Sequence, residues 1–133
     1  MNYTAHVTVG AFTGIGISFA ASRFHYDLSP VLVTVPAFLG AALPDIDHPK
    51  SHLGRRFRFT SKVVNKAFGH RTFTHSLLFC FGVFYLLMQW NLSIAVGAFS
   101  GILSHILLDM LTPFSKGVAL LYPIKKRFGI FMS

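Results

Sequence analysis

The chain of 133 residues consists of long apolar runs separated by short polar stretches. Residues 1–22 contain no Lys, Arg, Asp or Glu, and a second apolar run covers residues 28–44. The third run, residues 72–115, has Asp109 as its single formal charge and is too long for one crossing, since about 20 residues span a bilayer. The polar sequence QWN at residues 89–91 divides it. We therefore predict transmembrane helices at about 5–22, 28–44, 73–89 and 92–112.

The composition supports this interpretation. Hydrophobic residues make up 53% of the chain and charged residues 12%, against about 25% charged in soluble domains. We expect one domain over residues 1–133, an all-α polytopic membrane protein with a bundle of about four transmembrane helices. The single cysteine, Cys80, has no partner for an internal disulfide and lies in an apolar run, where packing is its expected role.

Basic residues predict the orientation of the bundle. The net charge is +8, and most of the cations lie in the loop 48–71 and the tail 113–133. The predicted loop between the first two helices has only Arg23, and the loop between the last two has no Lys or Arg. The positive-inside rule then places both termini and the basic loop in the cytoplasm.

This topology brings histidines and aspartates to one membrane face. The candidate metal ligands are His6, Asp45, Asp47, His48, His70, His75, His105 and Asp109. Each has an ordinary explanation alone, such as a packed core histidine or a paired aspartate. Together they are hard to explain as accidents, because ionisable groups in membrane helices are costly. Imidazole and carboxylate ligands without thiolates suit Zn, with Mn, Fe or Ni as alternatives. Their number predicts one or two divalent ions.

Glycine rows precede or follow ligand-type residues on two of the predicted helices. Gly10 and Gly14 continue the row of His6, and Gly97 and Gly101 lie on the row of His105 and Asp109. The GxxxG pattern allows helix backbones to approach closely. The rows can pack within one chain, or between chains in a homo-oligomer.

Three motifs carry a family resemblance. At LPDIDHP, GHRTFTHSL and SHILLDMLTPF the chain resembles the YdjM-like family of membrane-bound metal-dependent hydrolases, which is commonly labelled LexA-regulated. The resemblance runs from about His6 to Tyr122. It implies a multi-pass protein of the bacterial inner membrane, a metal-dependent hydrolase activity, a link to the DNA-damage response, and the eight ligand candidates above. It fixes no substrate, and family members are often longer.

Our first hypothesis is a hydrolase that cleaves a phosphoester, such as a lipid phosphate, at the cytoplasmic membrane face. The chain has no glutamate, so an HExxH protease mechanism is excluded and a general base must be Asp, His or a metal-bound hydroxide. The catalytic candidates are Asp45, His70 and Arg71. Arg71 could hold a phosphate oxygen, or it could simply anchor the topology.

Two alternatives come from other classes. A metal transporter or channel would place its site near the bilayer midplane, where Pro36 could break the second helix. A membrane-anchored binding module would dock anionic lipid, protein or nucleic acid through RRFRF at residues 55–59. Membrane lipid is the expected partner, and nucleic acid is the least favoured one.

Overall fold

Six α-helices make up most of the chain. In the computed structural model, which describes residues 3–112 and 116–130, they are α1 (Tyr3–Arg23), α2 (Pro30–Gly40), α3 (His52–Arg56), α4 (Arg58–Phe68), α5 (Leu77–Met88) and α6 (Leu92–Leu111). Two short 3₁₀ helices, Leu43–Asp47 and Phe73–His75, carry parts of the polar motifs. The predicted all-α fold is confirmed.

Polar residues begin four of these helices. The side chains of Ser29, Ser51, Ser76 and Asn91 each accept a hydrogen bond from the backbone N–H three residues further on. The first N–H groups of a helix have no partner within the helix, so these acceptors define where each helix starts.

Three helical segments are long and apolar enough to cross a membrane: Tyr3–Arg23, Pro30–Asp47 and Leu92–Leu111. The predicted span 73–89 is shorter, because α5 has 12 residues. It rises about 18 Å, which is less than the roughly 30 Å of a hydrocarbon core. Residues 73–76 leave the helix because Thr74 and His75 are buried among polar groups instead. The prediction of about four spans is roughly consistent with the structure.

Helix α2 packs against both α1 and α6, and glycines permit the close approach. A Cβ atom at Gly101 would lie 2.1 Å from the backbone oxygen of Ala37, and one at Gly14 would lie 2.8 Å from the Ala37 side chain. Gly10 and Gly97 meet α2 in the same way. Both glycine rows are therefore used within one chain, against α2.

Small and branched residues fill the interior, while large apolar side chains face outward. The core cluster contains Cys80, Ile102, Ile106 and Val118. Cys80 is free and buried, in agreement with the packing role expected for it. Phe12 and Phe19 on α1 are 68% and 71% exposed. Exposed aromatic side chains on a helix that is long and apolar enough to cross a membrane are suited to contact with lipid.

The basic loop, residues 48–71, contains α3 and α4, which the pattern of apolar runs did not predict. Helix α4 packs on the Leu43–Asp47 turn, and the Asn65 side-chain amide donates to the Asp47 carbonyl oxygen at 2.8 Å. Its outer surface carries exposed Phe59 together with Arg58, Lys62 and Lys66. The loop therefore supports the LPDIDHP motif while its cations stay at the surface.

The tail folds back onto the bundle over the described residues 116–130; residues 113–115 and 131–133 lie outside the described part. The Ala119 N–H donates to the Arg71 carbonyl at 2.9 Å, and the Leu77 N–H donates to the Leu120 carbonyl at 2.9 Å. The Arg127 guanidinium donates to the His70 carbonyl at 3.4 Å. These bonds fix the GHRTFTHSL segment from the side of the tail.

Candidate metal centre

Residues from distant parts of the chain meet at one end of the bundle. His6 lies near the start of α1, Asp45 lies in the turn after α2, and His75 ends the 3₁₀ helix before α5. His105 and Asp109 lie one turn apart at the end of α6. The cluster therefore forms where successive helices, which alternate in direction, begin and end on the same side.

The donor atoms lie at separations that suit one shared ion. The Nε2 atoms of His75 and His105 are 3.1 Å apart. Asp109 Oδ2 lies 2.9 Å from the first and 3.4 Å from the second, and Asp45 Oδ1 lies 3.5 Å from His105 Nε2. Ligands held tetrahedrally at about 2.1 Å from a zinc ion stand roughly 3.4 Å from one another. The set therefore fits a metal in both chemistry and spacing.

Hydrogen bonds fix which ring nitrogens face this point. His105 Nδ1 lies 2.6 Å from the Ala41 carbonyl oxygen, and His75 Nδ1 lies 3.2 Å from Asp47 Oδ2. A carbonyl and a carboxylate can only accept, so both Nδ1 atoms donate. Both Nε2 atoms are then the ligand nitrogens, and they point at each other and at two carboxylates. Nitrogen lone pairs and carboxylates this close together repel one another unless a cation lies between them, and this cation is either a metal ion or an added proton.

His6 extends the cluster. Its ring stacks on that of His105, with centroids 3.8 Å apart, and its Nε2 lies 3.3 Å from Asp109 Oδ1. Its side chain is fully buried, and Nδ1 has no hydrogen-bond partner among the described residues. His6, His105 and Asp109 form one group of potential ligands, and Asp45, His75 and His105 form another. Both groups include His105, and its Nε2 lone pair can bind only one metal ion. The two groups are therefore parts of one centre.

Asp47 lies one layer behind these ligands and holds them in place. Its Oδ1 lies 2.6 Å from His70 Nδ1. Its Oδ2 accepts from the Arg71 N–H at 2.9 Å and the Thr74 hydroxyl at 2.6 Å, in addition to His75 Nδ1. With both oxygens engaged by protein donors, the carboxylate is arranged as a support for the histidines. Carboxylates that orient ligating histidines are the usual second layer of metal sites.

His70, Arg71 and His48 lie at the edge of the cluster. His70 is part-exposed, and the Arg71 guanidinium donates to Asp109 Oδ1 at 3.3 Å. The His48 ring meets His70 edge-on at 4.8 Å, and its Nδ1 accepts from the Lys50 N–H. Burial, together with the neighbouring His70, lowers the pKa of His48 below its usual range. This shift favours the neutral form of His48.

A polar cavity of about 360 Å³ opens beside the cluster. It is lined by Tyr3, His6, Asp45, His48, Lys50, Ser51, His52, Arg55, His70, Arg71 and Asp109. The cations Lys50, Arg55 and Arg71 line the same space as the ligand-set residues Asp45 and Asp109. A metal at the cluster would make the cavity positive overall, which favours an anionic guest.

The predicted ligands divide into two layers. The structure brings together His6, Asp45, His75, His105 and Asp109, and it places Asp47, His48 and His70 around them. Sequence reasoning missed Thr74, Asn65 and the carbonyl of Ala41 as supporting groups. Thr74 had a signal, since it lies inside GHRTFTHSL, but a backbone carbonyl leaves no trace in a sequence.

Fold and site together define a class, an all-helical membrane protein with a buried histidine–aspartate cluster that could hold a metal ion. Within this class the chain belongs to the family described as YdjM inner membrane protein, whose sequence profile matches residues 1–133.

The chain is similar to relatives from several bacteria. An uncharacterized protein, YvsG, from Bacillus subtilis is 40% identical and aligns with 86% of this chain and 73% of its own length. The inner membrane proteins YdjM of Escherichia coli and Shigella flexneri are each 47% identical, and the match covers 78% of this chain and 59% of theirs. No solved structure matches the chain.

Proposed function

We propose that this protein is a membrane-bound hydrolase that uses a divalent metal ion to cleave a phosphoester at the membrane surface. The observation that supports the proposal is the meeting of two oriented imidazole Nε2 atoms and two carboxylates beside a cation-lined cavity. Zn is the expected metal, with Mn, Fe or Ni as alternatives, and the shared His105 favours one ion over two.

The ligand set has a closed side and an open side. His6, His75, His105 and Asp109 are all buried, but only His6, Asp45 and Asp109 of the ligand set also line the cavity. Catalytic metal sites keep a position open to substrate, while structural sites are closed. When bound, the ion would supply an acidified water and a Lewis acid. The carboxylate of Asp45, which is part-exposed, lies where it can accept a proton from a guest in the cavity.

His70 is suited to proton transfer. Its Nδ1 donates to Asp47, so Nε2 is the nitrogen left to exchange a proton with a molecule in the cavity. A histidine oriented by a carboxylate is a common general acid or base. We assign His70 this role and Asp47 the role of orienting it.

Three cations are suited to holding a phosphate group. Arg71 combines a bond to Asp109 with a place in the cavity wall, and Lys50 and Arg55 line the same space. Arg55 is fixed by a bond from its Nε to the Lys50 carbonyl at 2.9 Å. A guanidinium binds two phosphate oxygens at once, so Arg71 and Arg55 would orient the group that is cleaved.

The distribution of basic residues supports a proposal for the orientation of the protein. The family resemblance supports an expectation for its regulation. Because the basic residues lie at the end of the bundle that carries the cluster, we propose that both termini and the site face the cytoplasm of a bacterial inner membrane. The resemblance to a LexA-regulated family adds the expectation that expression rises after DNA damage, which transcript measurements would test.

Metal transport and lipid or nucleic-acid binding through residues 55–59 are the competing functions. The cluster lies at helix ends, whereas transport sites are usually near the midplane. Flux of metal into proteoliposomes that is lost in a His105→Ala variant would favour transport. Salt-sensitive DNA binding by the same variant would favour a binding module.

Hydrolysis is tested with purified protein loaded with Zn or Mn in detergent. We expect phosphate release from phosphatidic acid or a small phosphomonoester, abolished by a chelator and restored by metal. The variant His105→Ala should be inactive. His25→Asn is the matched control, since His25 is exposed and has a positive φ of 61° that Asn tolerates. Metal-loaded protein that releases no phosphate from a broad set of esters would contradict the proposal.

A further inference from the structure

An apolar groove runs along the outside of the bundle between α1 and α6. Its volume is about 360 Å³. It is lined by apolar side chains and three hydroxyl residues, between Val9 and Ile17 on α1 and between Val96 and Leu111 on α6. From Val96 to Leu111 it extends about 22 Å along α6. This length is at least the depth of one leaflet, roughly half of a 30 Å hydrocarbon core.

The hydroxyl groups in the groove do not make it polar. Thr13 donates to the Val9 carbonyl at 2.7 Å, Ser100 to the Gly97 carbonyl at 2.8 Å and Ser104 to the Gly101 carbonyl at 2.8 Å. Each hydroxyl already donates to a backbone carbonyl of its own helix, so it does not need a hydrogen-bond partner from a bound molecule. The groove therefore offers small side chains along its floor and an apolar surface.

The groove and the polar cavity are lined by neighbouring residues of the same two helices. On α1, Val9 lines the groove and His6, one turn earlier, lines the cavity; on α6, Leu108 lines the groove and its neighbour Asp109 lines the cavity. The inner end of the apolar groove therefore lies close to the cavity that is lined by Lys50, Arg55 and Arg71. This is the arrangement that would receive an amphiphile with one extended hydrocarbon chain and an anionic head.

A second copy of the chain is a weaker candidate for the groove. The glycine rows, the usual means by which membrane helices associate, already pack against α2 of the same chain. A helix from another copy would also leave the cations of the neighbouring polar cavity without a complement. A lipid satisfies both parts, since its chain matches the apolar lining and its phosphate matches the cations.

We propose that the groove holds one acyl chain of an anionic membrane phospholipid whose phosphate lies in the polar cavity. The inference deepens the proposed function, because it names a lipid held beside the cluster as the substrate. Lipid binding itself does not depend on hydrolysis, so the two can fail separately.

Tryptophan fluorescence tests this proposal. In a Trp90→Phe background, which removes the single native tryptophan, Leu107→Trp puts a reporter in the groove near the cluster. Phe12→Trp is the matched reporter on the lipid-facing side of α1, outside the groove. Both proteins are placed in phosphatidylcholine vesicles with a few mole per cent of phosphatidic acid brominated on its acyl chains.

We expect several-fold stronger quenching of Leu107→Trp than of Phe12→Trp, reversed by excess unlabelled phosphatidic acid. A Lys50→Gln/Arg55→Gln pair added to Leu107→Trp should reduce the quenching to that of Phe12→Trp. Equal quenching of Leu107→Trp and Phe12→Trp without the Gln substitutions would overturn the proposal. Protection of Leu107→Trp from the brominated lipid, together with cross-linking between two copies of the chain at this position, would also overturn it. Selective quenching without phosphate release from the bound lipid would support the lipid site and overturn the hydrolase.

Discussion

Asp45, Asp47 and Asp109 belong to one cluster but differ in what surrounds their oxygens. Asp109 and Asp45 lie within 3.5 Å of the His105 Nε2 atom, whereas Asp47 accepts from His70, Arg71, Thr74 and His75. The motif LPDIDHP therefore supplies one carboxylate to the ligand set and one to its support. Both were predicted as ligands, since a sequence does not distinguish the two roles.

Asp47→Asn should weaken metal binding without abolishing it. The amide would present an NH₂ group to donors that need an acceptor, so the imidazoles of His75 and His70 would lose their orientation. Loss of such a supporting carboxylate typically costs 10–100-fold in metal affinity. Titration of Zn into the apo-protein would measure it, with Asp109→Asn expected to lose much more. An Asp47→Asn variant as defective as Asp109→Asn would make Asp47 a ligand.

His70→Asn should separate catalysis from metal binding. Because His70 is bound to Asp47 and is not among the converging donors, the variant should keep its metal. Its turnover should fall by about 10²–10⁴-fold, the usual contribution of a general acid or base. Metal content and kcat are measured on the same preparation, with His25→Asn as control. Loss of metal from His70→Asn would show that His70 is a ligand.

Among the elements, the contact of α6 with α2 controls the position of His105. The Gly101 residue lies one turn before His105, and Ala41 at the end of α2 supplies the carbonyl that orients the His105 ring. Packing and ligand orientation therefore share one helix pair. The glycine rows were readable from the sequence, but their partner, α2, was not, because a GxxxG pattern does not say which helix it faces.

Gly101→Ala should destabilise the protein, since the added Cβ would lie 2.1 Å from a backbone oxygen that cannot move aside as a side chain can. We expect a loss of about 1–3 kcal/mol and weaker metal binding. Gly16→Ala is the control, because its Cβ would meet nothing within 4 Å and alanine is the better helix former. Thermal unfolding in one detergent measures both. Equal melting temperatures for the two variants would refute the role of this contact.

At the scale of the whole molecule, the alternation of membrane helices is what made the site predictable. Once the apolar runs were assigned, the polar residues at their ends fell on one side, and five of them meet in the structure. The helices within residues 48–71 and the folded tail could not be predicted in this way. They are stabilised by packing on the Leu43–Asp47 turn and on GHRTFTHSL, contacts between segments far apart in sequence.

The proposed orientation predicts that both ends of the chain are cytoplasmic. Reporter enzymes that are active on only one side of the membrane, fused at Met1 and at Ser133, should both give the cytoplasmic signal. The physical reason is the excess of Lys and Arg in residues 48–71 and in the tail. A periplasmic signal at either end would place the basic residues on the wrong side and refute the proposed topology.

The claim on which the rest depends is that the cluster binds a metal. Elemental analysis of protein purified from metal-supplemented cells tests it, with His105→Ala and the control His25→Asn prepared in parallel. We predict close to one divalent ion per chain in the wild type and in His25→Asn, and nearly none in His105→Ala. Equal metal content in all three proteins, or none in the wild type after supply of Zn, Mn, Fe and Ni, would contradict the claim.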